Sequence, residues 1–184
     1  VTDDLSAPDA AEPPVDDVEQ ARRIQEFWVA SRTKAGLGRL TNVVVAASWG
    51  EEVPPPAWSF GDSPELADEL LALVLRGQKT GTSSAVVEYE AADEPVPAKG
   101  DLSILLDGRG EPRALVRTSR VDVVAFDDVT EEFAASEGEG DRTLASWRAD
   151  HEAFWRRTLP ALGLEFDLAM DVVCERFELL YAAS

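Results

Sequence analysis

Between residues 62 and 90 the chain passes from a strongly patterned helix to a valine-containing β-type run across a short polar junction, and this change constrains the fold more than any other feature. The helix is expected from Asp62-Ser63-Pro64-Glu65 through Arg76, with Leu66, Leu70, Leu73 and Val74 on its buried stripe. Asp62 is the expected N-cap, Glu65 its reciprocal partner, and Gly77 the glycine that ends the helix. Ser84–Glu90 reads as a strand. Between them, Gly77-Gln78-Lys79-Thr80-Gly81-Thr82 puts a lysine and a threonine where both can face one cleft, beside backbone not committed to a ladder. The chain has three lysines (Lys34, Lys79, Lys99) among 17 basic residues, so arginine is its usual cation. An amine, unlike a guanidinium, can give up its proton when desolvated. The plainer role for Lys79 is to complement the helix C-terminus.

The 184 residues suit one domain with an extra arm, and a hydrophobic share of 45% suffices for a core. A formal net charge of −19 opposes nonspecific binding to a phosphate backbone, so no DNA partner is expected. A local basic cleft remains compatible with a nucleotide or a short single strand. One cysteine, Cys174, excludes an intrachain disulfide and a cysteine zinc cluster, and one histidine, His151, excludes any site that needs two. No apolar stretch reaches membrane-spanning length, and the N-terminus lacks the order of a signal peptide, so a soluble cytoplasmic protein is expected.

Residues 1–19, acidic and proline-containing with no basic residue, read as a disordered leader. Residues 20–57 form an arm. Its helix runs from Val18 to about Ala35 with Val18, Ala21, Ile24, Phe27, Trp28 and Ser31 along one face; a short strand at Asn42–Trp49 and the spacer Val53-Pro54-Pro55-Pro56 follow. Residues 58–184 form the main domain. Further strands are expected at Leu102–Leu106, Ala114–Val124 and Val172–Tyr181, with a hairpin turn at Asp107-Gly108-Arg109-Gly110. Asp141 or Thr143 caps a second helix from Leu144 to about Thr158. Helices interspersed with short, mostly antiparallel strands give an α+β fold, with the sheet expected to curl into a small barrel.

Glu137-Gly138-Glu139-Gly140-Asp141 gives a tight acidic turn whose backbone can approach a ligand closely. It lacks the spacing of a calcium loop, and no metal or other cofactor is expected. Glu137 facing the Lys79 cleft would be a proton carrier tuned by the amine. In the following helix Leu144, Trp147, His151, Phe154 and Trp155 share a stripe, which makes a core role for His151 the ordinary outcome and a catalytic one the alternative. Trp58, Phe60 and Trp147 are core aromatics that can also stack on a base at a cleft edge. Ser83 and Arg148 complete the expected substrate-binding set. Cys174 reads as a buried, inert thiol.

Taken in order, Trp58-Ser59-Phe60-Gly61-Asp62, Gly77-Gln78-Lys79-Thr80-Gly81-Thr82, Val129-Thr130-Glu131-Glu132 running into Glu137-Gly138-Glu139-Gly140-Asp141, and Trp147-Arg148 with His151 resemble the longer bacterial form of the ASCH domain, of the PUA-like superfamily. The resemblance covers about Trp58 to Tyr181. It implies a small mixed β-barrel flanked by helices, with a cleft suited to nucleosides or nucleic acid. Small members of the family are amidohydrolases of N4-acetylcytidine, and their motif falls on Lys79, Thr82 and Glu137. It thereby implies Thr82 as nucleophile, Lys79 as its base and Glu137 as proton carrier and orienter. Longer members imply one alternative, a metal-assisted endoribonuclease on single-stranded RNA; a second alternative is a non-catalytic PUA-like RNA-binding module. The expected partner is a modified nucleoside or a short single-stranded RNA. An arginine track from Arg76, Arg117, Arg120 and Arg148 would favour RNA, and a nucleoside-sized pocket the hydrolase.

Overall fold

A computed structural model describes residues 15–37 and 53–183. The first helix, α1 (Val15–Lys34), starts within the stretch read as a leader; residues 1–14 and the strand expected at Asn42–Trp49 lie outside the described residues. Its buried face is narrower than the expected stripe. Phe27 and Trp28 pack against Ile104, Leu106 and Leu115, whereas Val18 is exposed. Lys34 Nζ donates to the Tyr181 hydroxyl at 3.2 Å, and Arg23 pairs with Glu111 at 3.1 Å, so α1 is docked against the sheet.

The helix α2 (Pro64–Leu75) is capped by Ser63, whose hydroxyl accepts the Leu66 N–H. Asp62, the expected cap, is instead paired with Arg157 at 2.8 Å. With Ser63 in the cap position, Glu65 falls one residue short of a reciprocal bond. Gly77 does end the helix in the left-handed region, at φ 70°. The next strand, β2 (Gly81–Ala85; β1 is Ala57–Trp58), is shorter than Ser84–Glu90 implied, and Val86–Ala92 forms a helix, α3. Two causes are visible. The strand partnering β2 begins at Asp171, so its ladder ends at Ala85↔Val172. The Glu88 carboxylate then accepts the freed Ala85 N–H at 2.8 Å, which starts the helix despite two β-branched residues.

The strand β3 (Leu102–Leu106) turns at Asp107–Gly110 into β4 (Pro112–Ala125), and Asp107 Oδ1 accepts the N–H groups of Arg109 and Glu111 inside that turn. A helix not anticipated, α4 (Glu131–Glu137), precedes α5 (Leu144–Thr158), for which Thr143 is the cap. The last strand is β5 (Asp171–Ala182). Among the described residues the sheet has five strands in the order β1-β3-β4-β5-β2, antiparallel except for the β1–β3 pair.

The fold is α+β, as read, but the sheet is not a closed barrel. Its edges, β1 and β2, do not pair. Pro54-Pro55-Pro56 offers no N–H donors, so β1 is only two residues long and cannot continue toward β2. Helices α4 and α5 cover one face around Phe126, Phe133, Trp147 and Trp155, and α2 packs through Leu70, Leu71 and Val74 onto Leu105, Val116 and Phe177. Cys174 is buried in the first cluster, and burial pushes its thiol up to about 12, as an inert core residue requires. No helix among the described residues is long and apolar enough to cross a membrane.

Candidate functional site

Lys79 and Glu137 are 58 residues apart, and backbone contacts bring them together. The N–H groups of Gln78 and Lys79 both bond to Leu73 O, folding the junction back over the end of α2. Thr80 N donates to Ser136 O at 2.8 Å, which ties the start of β2 to the last turn of α4. Gly138 then allows the close approach. Its φ is +72°, and a Cβ at this position would lie 2.4 Å from Gln78 O. No side chain fits there, so Glu137 is delivered against Lys79 only by a glycine-terminated helix.

The resulting pair is dry. Lys79 and Glu137 are each 1% exposed. Lys79 Nζ donates to Glu137 Oε2 at 2.9 Å and to Glu139 Oε1 at 2.5 Å. The other Glu137 oxygen accepts the Ser83 hydroxyl at 2.6 Å and the Trp147 indole N–H at 2.7 Å. His151 lies stacked on Trp147, its ring Nδ1 2.9 Å from Trp147 O. A carbonyl only accepts, so Nδ1 carries a proton, and Nε2 faces Glu137 Oε1 at 3.6 Å. Phe60 closes the other side, its ring centroid 5.2 Å from Nζ.

Burial is the largest influence on both charges and opposes each, pulling Lys79 down and Glu137 up. Their mutual attraction outweighs it. With Glu139 adding a second anion, Lys79 is raised above its ordinary value; with Lys79, His151, Ser83 and Trp147 around it, Glu137 is held down to about 2. Lys79 is therefore an ammonium in this arrangement, not the proton-free amine that desolvation alone would produce. The sign of the acid dependence follows. A carboxyl depressed from 4.5 to about 2 contributes stability that is full above about pH 4.5 and is lost as pH falls toward 2. The stability difference between wild type and Glu137→Gln, measured by urea denaturation at a series of pH values, should shrink over that window.

A cavity of about 510 Å³ opens onto this pair between α2, β2, α5 and the turn after α4. Lys79, Thr82, Ser83, Glu137, Phe60 and His151 line it, so six of the nine residues expected at the site share one cavity. Trp58, Trp147 and Arg148 do not. Trp58 packs edge-on against Phe60 and lines a different cavity. Trp147 is buried behind the wall and acts on Glu137 through its indole N–H. Arg148 is turned away and donates to Asp127 O at 2.5 Å. Thr82 and Ser83 point to opposite faces of β2, as consecutive strand residues must. The Ser83 hydroxyl is spent on Glu137, whereas the Thr82 hydroxyl makes no hydrogen bond with any described residue. No bond joins Lys79 to Thr82; the amine's contacts go to the two glutamates.

Glu139, absent from the expected set, is the residue that sequence reasoning missed; its signal was the glycine on either side of it. The arginine track is not assembled. Arg117 pairs with Glu178, Arg120 with Asp122, and Arg76 with Gln78. The cavity itself carries Glu69, Glu137, Glu139 and Asp150 against Lys79 and Arg157, and Arg157 is taken by Asp62.

The family model described as the ASCH domain matches residues 56–181. A crystal structure of a protein from Enterococcus faecalis V583 is similar at 31% identity over 86% of this chain and 88% of that one, with a TM-score of 0.73. A crystal structure of an ASCH domain from Lactobacillus crispatus JV V101 is similar at 28% identity over 89% of this chain and 95% of that one, with a TM-score of 0.72. No curated protein matches the sequence.

Proposed function

The chain belongs to the ASCH domain family, with its PUA-like fold, and on that premise we propose that its lysine–glutamate cleft hydrolyses the amide of an acylated, modified nucleoside of the N4-acetylcytidine type. The observation that carries this reading is a fully buried Lys79–Glu137 pair at 2.9 Å on the wall of a nucleoside-sized cavity that Thr82, its hydroxyl bonded to no described residue, also lines. Such a site can generate an alkoxide without histidine or metal chemistry.

Lys79 must first release to solvent the proton it holds at rest. Glu139, the more exposed of its two partners, keeps the amine charged while the cavity is empty; a substrate that displaces Glu139 lowers the cost of losing that proton. The neutral amine takes the Thr82 hydroxyl proton as Oγ1 attacks the acyl carbon. The tetrahedral adduct collapses, the carbon–nitrogen bond breaks, and the Lys79 proton passes to the departing amino group. Water then cleaves the acyl–threonine ester, giving the carboxylic acid and restoring Thr82. Glu137, held ionised and bonded on both oxygens, fixes the position of the Lys79 nitrogen throughout.

A free nucleoside suits this cavity better than a polymer, because its walls carry more carboxylates than cations and the surrounding arginines are individually paired. The test is release of acetate from N4-acetylcytidine by purified protein, with a short single-stranded RNA assayed in parallel with and without added magnesium. Acetate release without strand cleavage supports the reading. RNA cleavage that depends on Lys79, without deacetylation, replaces it with the ribonuclease; binding of RNA with neither reaction replaces it with the binding module.

A charge-neutral change at Glu139 gives a sharper expectation. Glu139→Gln removes one of the two anions that raise Lys79, so the amine loses its proton at lower pH. The alkaline rise of kcat/KM should move to lower pH, with a higher rate at neutrality. An unmoved profile would show that Glu139 does not control the proton on Lys79.

A further inference from the structure

The two sheet edges that fail to join leave a second cavity, of about 1000 Å³, on the face of β2 opposite Ser83. Trp58 and the proline spacer form one side, Tyr89 and the segment around Pro97 another, and Thr82, Ser84 and Glu175 the floor. Thr82 pairs across the ladder with Glu175, so their side chains lie on the same face. Thr82 therefore stands on the wall common to both cavities.

The lining selects a ligand class. No lysine or arginine is among the described residues that line this cavity, whereas Glu94, Asp101 and Glu175 are, so a phosphate is repelled. Glu175 is 9% exposed; its Oε1 accepts the Thr118 hydroxyl at 2.5 Å, and its second oxygen has no hydrogen bond to any described residue. A purely apolar ligand would bury that oxygen unsatisfied, at the cost of a lost hydrogen bond. An aromatic wall beside an acceptor favours a planar ring that carries N–H donors.

We propose that the second cavity is a base-binding site, which takes the amino-bearing edge of a nucleobase against the Glu175 carboxyl, with the ring against Trp58. This site is separate from the cavity in which the hydrolase reading seats its substrate, and it does not rest on that reading. Burial raises the Glu175 carboxyl above its ordinary value, against the Thr118 hydrogen bond. A carboxyl that readily keeps its proton can donate to a ring nitrogen while accepting from the neighbouring amino group, a match that a simple ammonium ion does not offer.

The experiment is calorimetric titration of the full chain with cytidine, uridine and choline, none of which carries an acyl group to hydrolyse. Wild type should bind cytidine at least about tenfold more tightly than uridine. Glu175→Gln, whose amide offers both a donor and an acceptor, should retain cytidine binding. Glu175→Met, of similar size and apolar, should lose it by tenfold or more with its melting temperature preserved. Unchanged cytidine affinity in Glu175→Met, no cytidine binding by wild type, or choline bound in place of cytidine would each overturn the site. Cytidine affinity unchanged in Glu175→Met, in a protein that deacetylates N4-acetylcytidine, leaves the hydrolase standing and removes this inference. Glu175-dependent cytidine binding in a protein with no deacetylase activity does the reverse.

Discussion

Lys79→Ala should be among the most destabilising single changes in the protein, costing about 3–5 kcal/mol, because it leaves the Glu137 carboxylate buried without its counter-charge. Ser83 and Trp147 would still donate to one oxygen, but Oε2 would face an empty space where Nζ stood. Domains of this kind are stable by about 5–15 kcal/mol, so the loss is a large share of the total. It corresponds to a fall in melting temperature of roughly 6–20 °C for a chain of this size. The double variant Lys79→Met, Glu137→Leu should recover much of that loss, since replacing a buried pair by packed apolar groups is often neutral. Urea denaturation of the three proteins measures both effects. A cost below about 1 kcal/mol for Lys79→Ala, the range of a surface pair, would mean that the pair is not desolvated.

Thr82→Val should behave in the opposite way, leaving stability alone and removing activity. The Thr82 hydroxyl supports no hydrogen bond with the described residues, and valine matches the side chain in shape and in preference for a strand. The melting temperature should therefore stay within about 2 °C of wild type. Loss of the attacking oxygen should lower amide hydrolysis on the order of 10⁴–10⁶-fold, the range found when a nucleophile or a coupled partner is removed. Ser83→Ala is the informative contrast. It deletes a hydrogen bond to Glu137 and not the nucleophile, so its effect on rate should be much smaller. Retention of most activity by Thr82→Val, with loss in Ser83→Ala, would transfer the nucleophile's role to the neighbouring residue.

Local pattern carried the parts of the fold that local physics decides. Leu102–Leu106 is apolar but for Ser103 and runs into an Asp-Gly turn, and the turn's hydrogen bonds come from Asp107 itself, so that hairpin was legible. The helix from Leu144 was legible for a similar reason, as its stripe is long and its threonine cap adjacent. What failed depended on distant residues. Val86 and Val87 are helical because the partner strand begins at Asp171, which nothing near them encodes. Ser63 caps α2 ahead of Pro64, and Asp62 is held by Arg157, more than ninety residues on. The helix Glu131–Glu137 is only seven residues long, too short for periodicity to register, yet its last residue supplies the buried carboxylate.

The candidate site divides along the same line. Its residue types and the Lys79–Glu137 association could be read from the motifs, and the two do share a wall. The protonation state could not. An expectation built on desolvation alone treats Lys79 as isolated, while Glu139 reaches it from a turn whose geometry depends on Gly138 passing within 2.4 Å of Gln78 O, measured to the absent Cβ. That Trp58 and Arg148 lie outside the Lys79 cavity could not be read, because sequence proximity to a motif does not say which side of a sheet or helix faces the cavity. The side was set by β1's pairing with β3 and by the Arg148 bond to Asp127 O.

The most direct measurement is the rate of N4-acetylcytidine hydrolysis by wild type and by Lys79→Arg, compared at the same pH with folding verified by melting temperature. Arginine keeps the positive charge against Glu137 but does not give up a proton, so it cannot serve as the base for Thr82. Wild type should release acetate, and Lys79→Arg should be slower by about 10²–10⁴-fold, the usual contribution of a positioned general base. Lys79→Arg that folds and retains most of the wild-type rate would contradict the account.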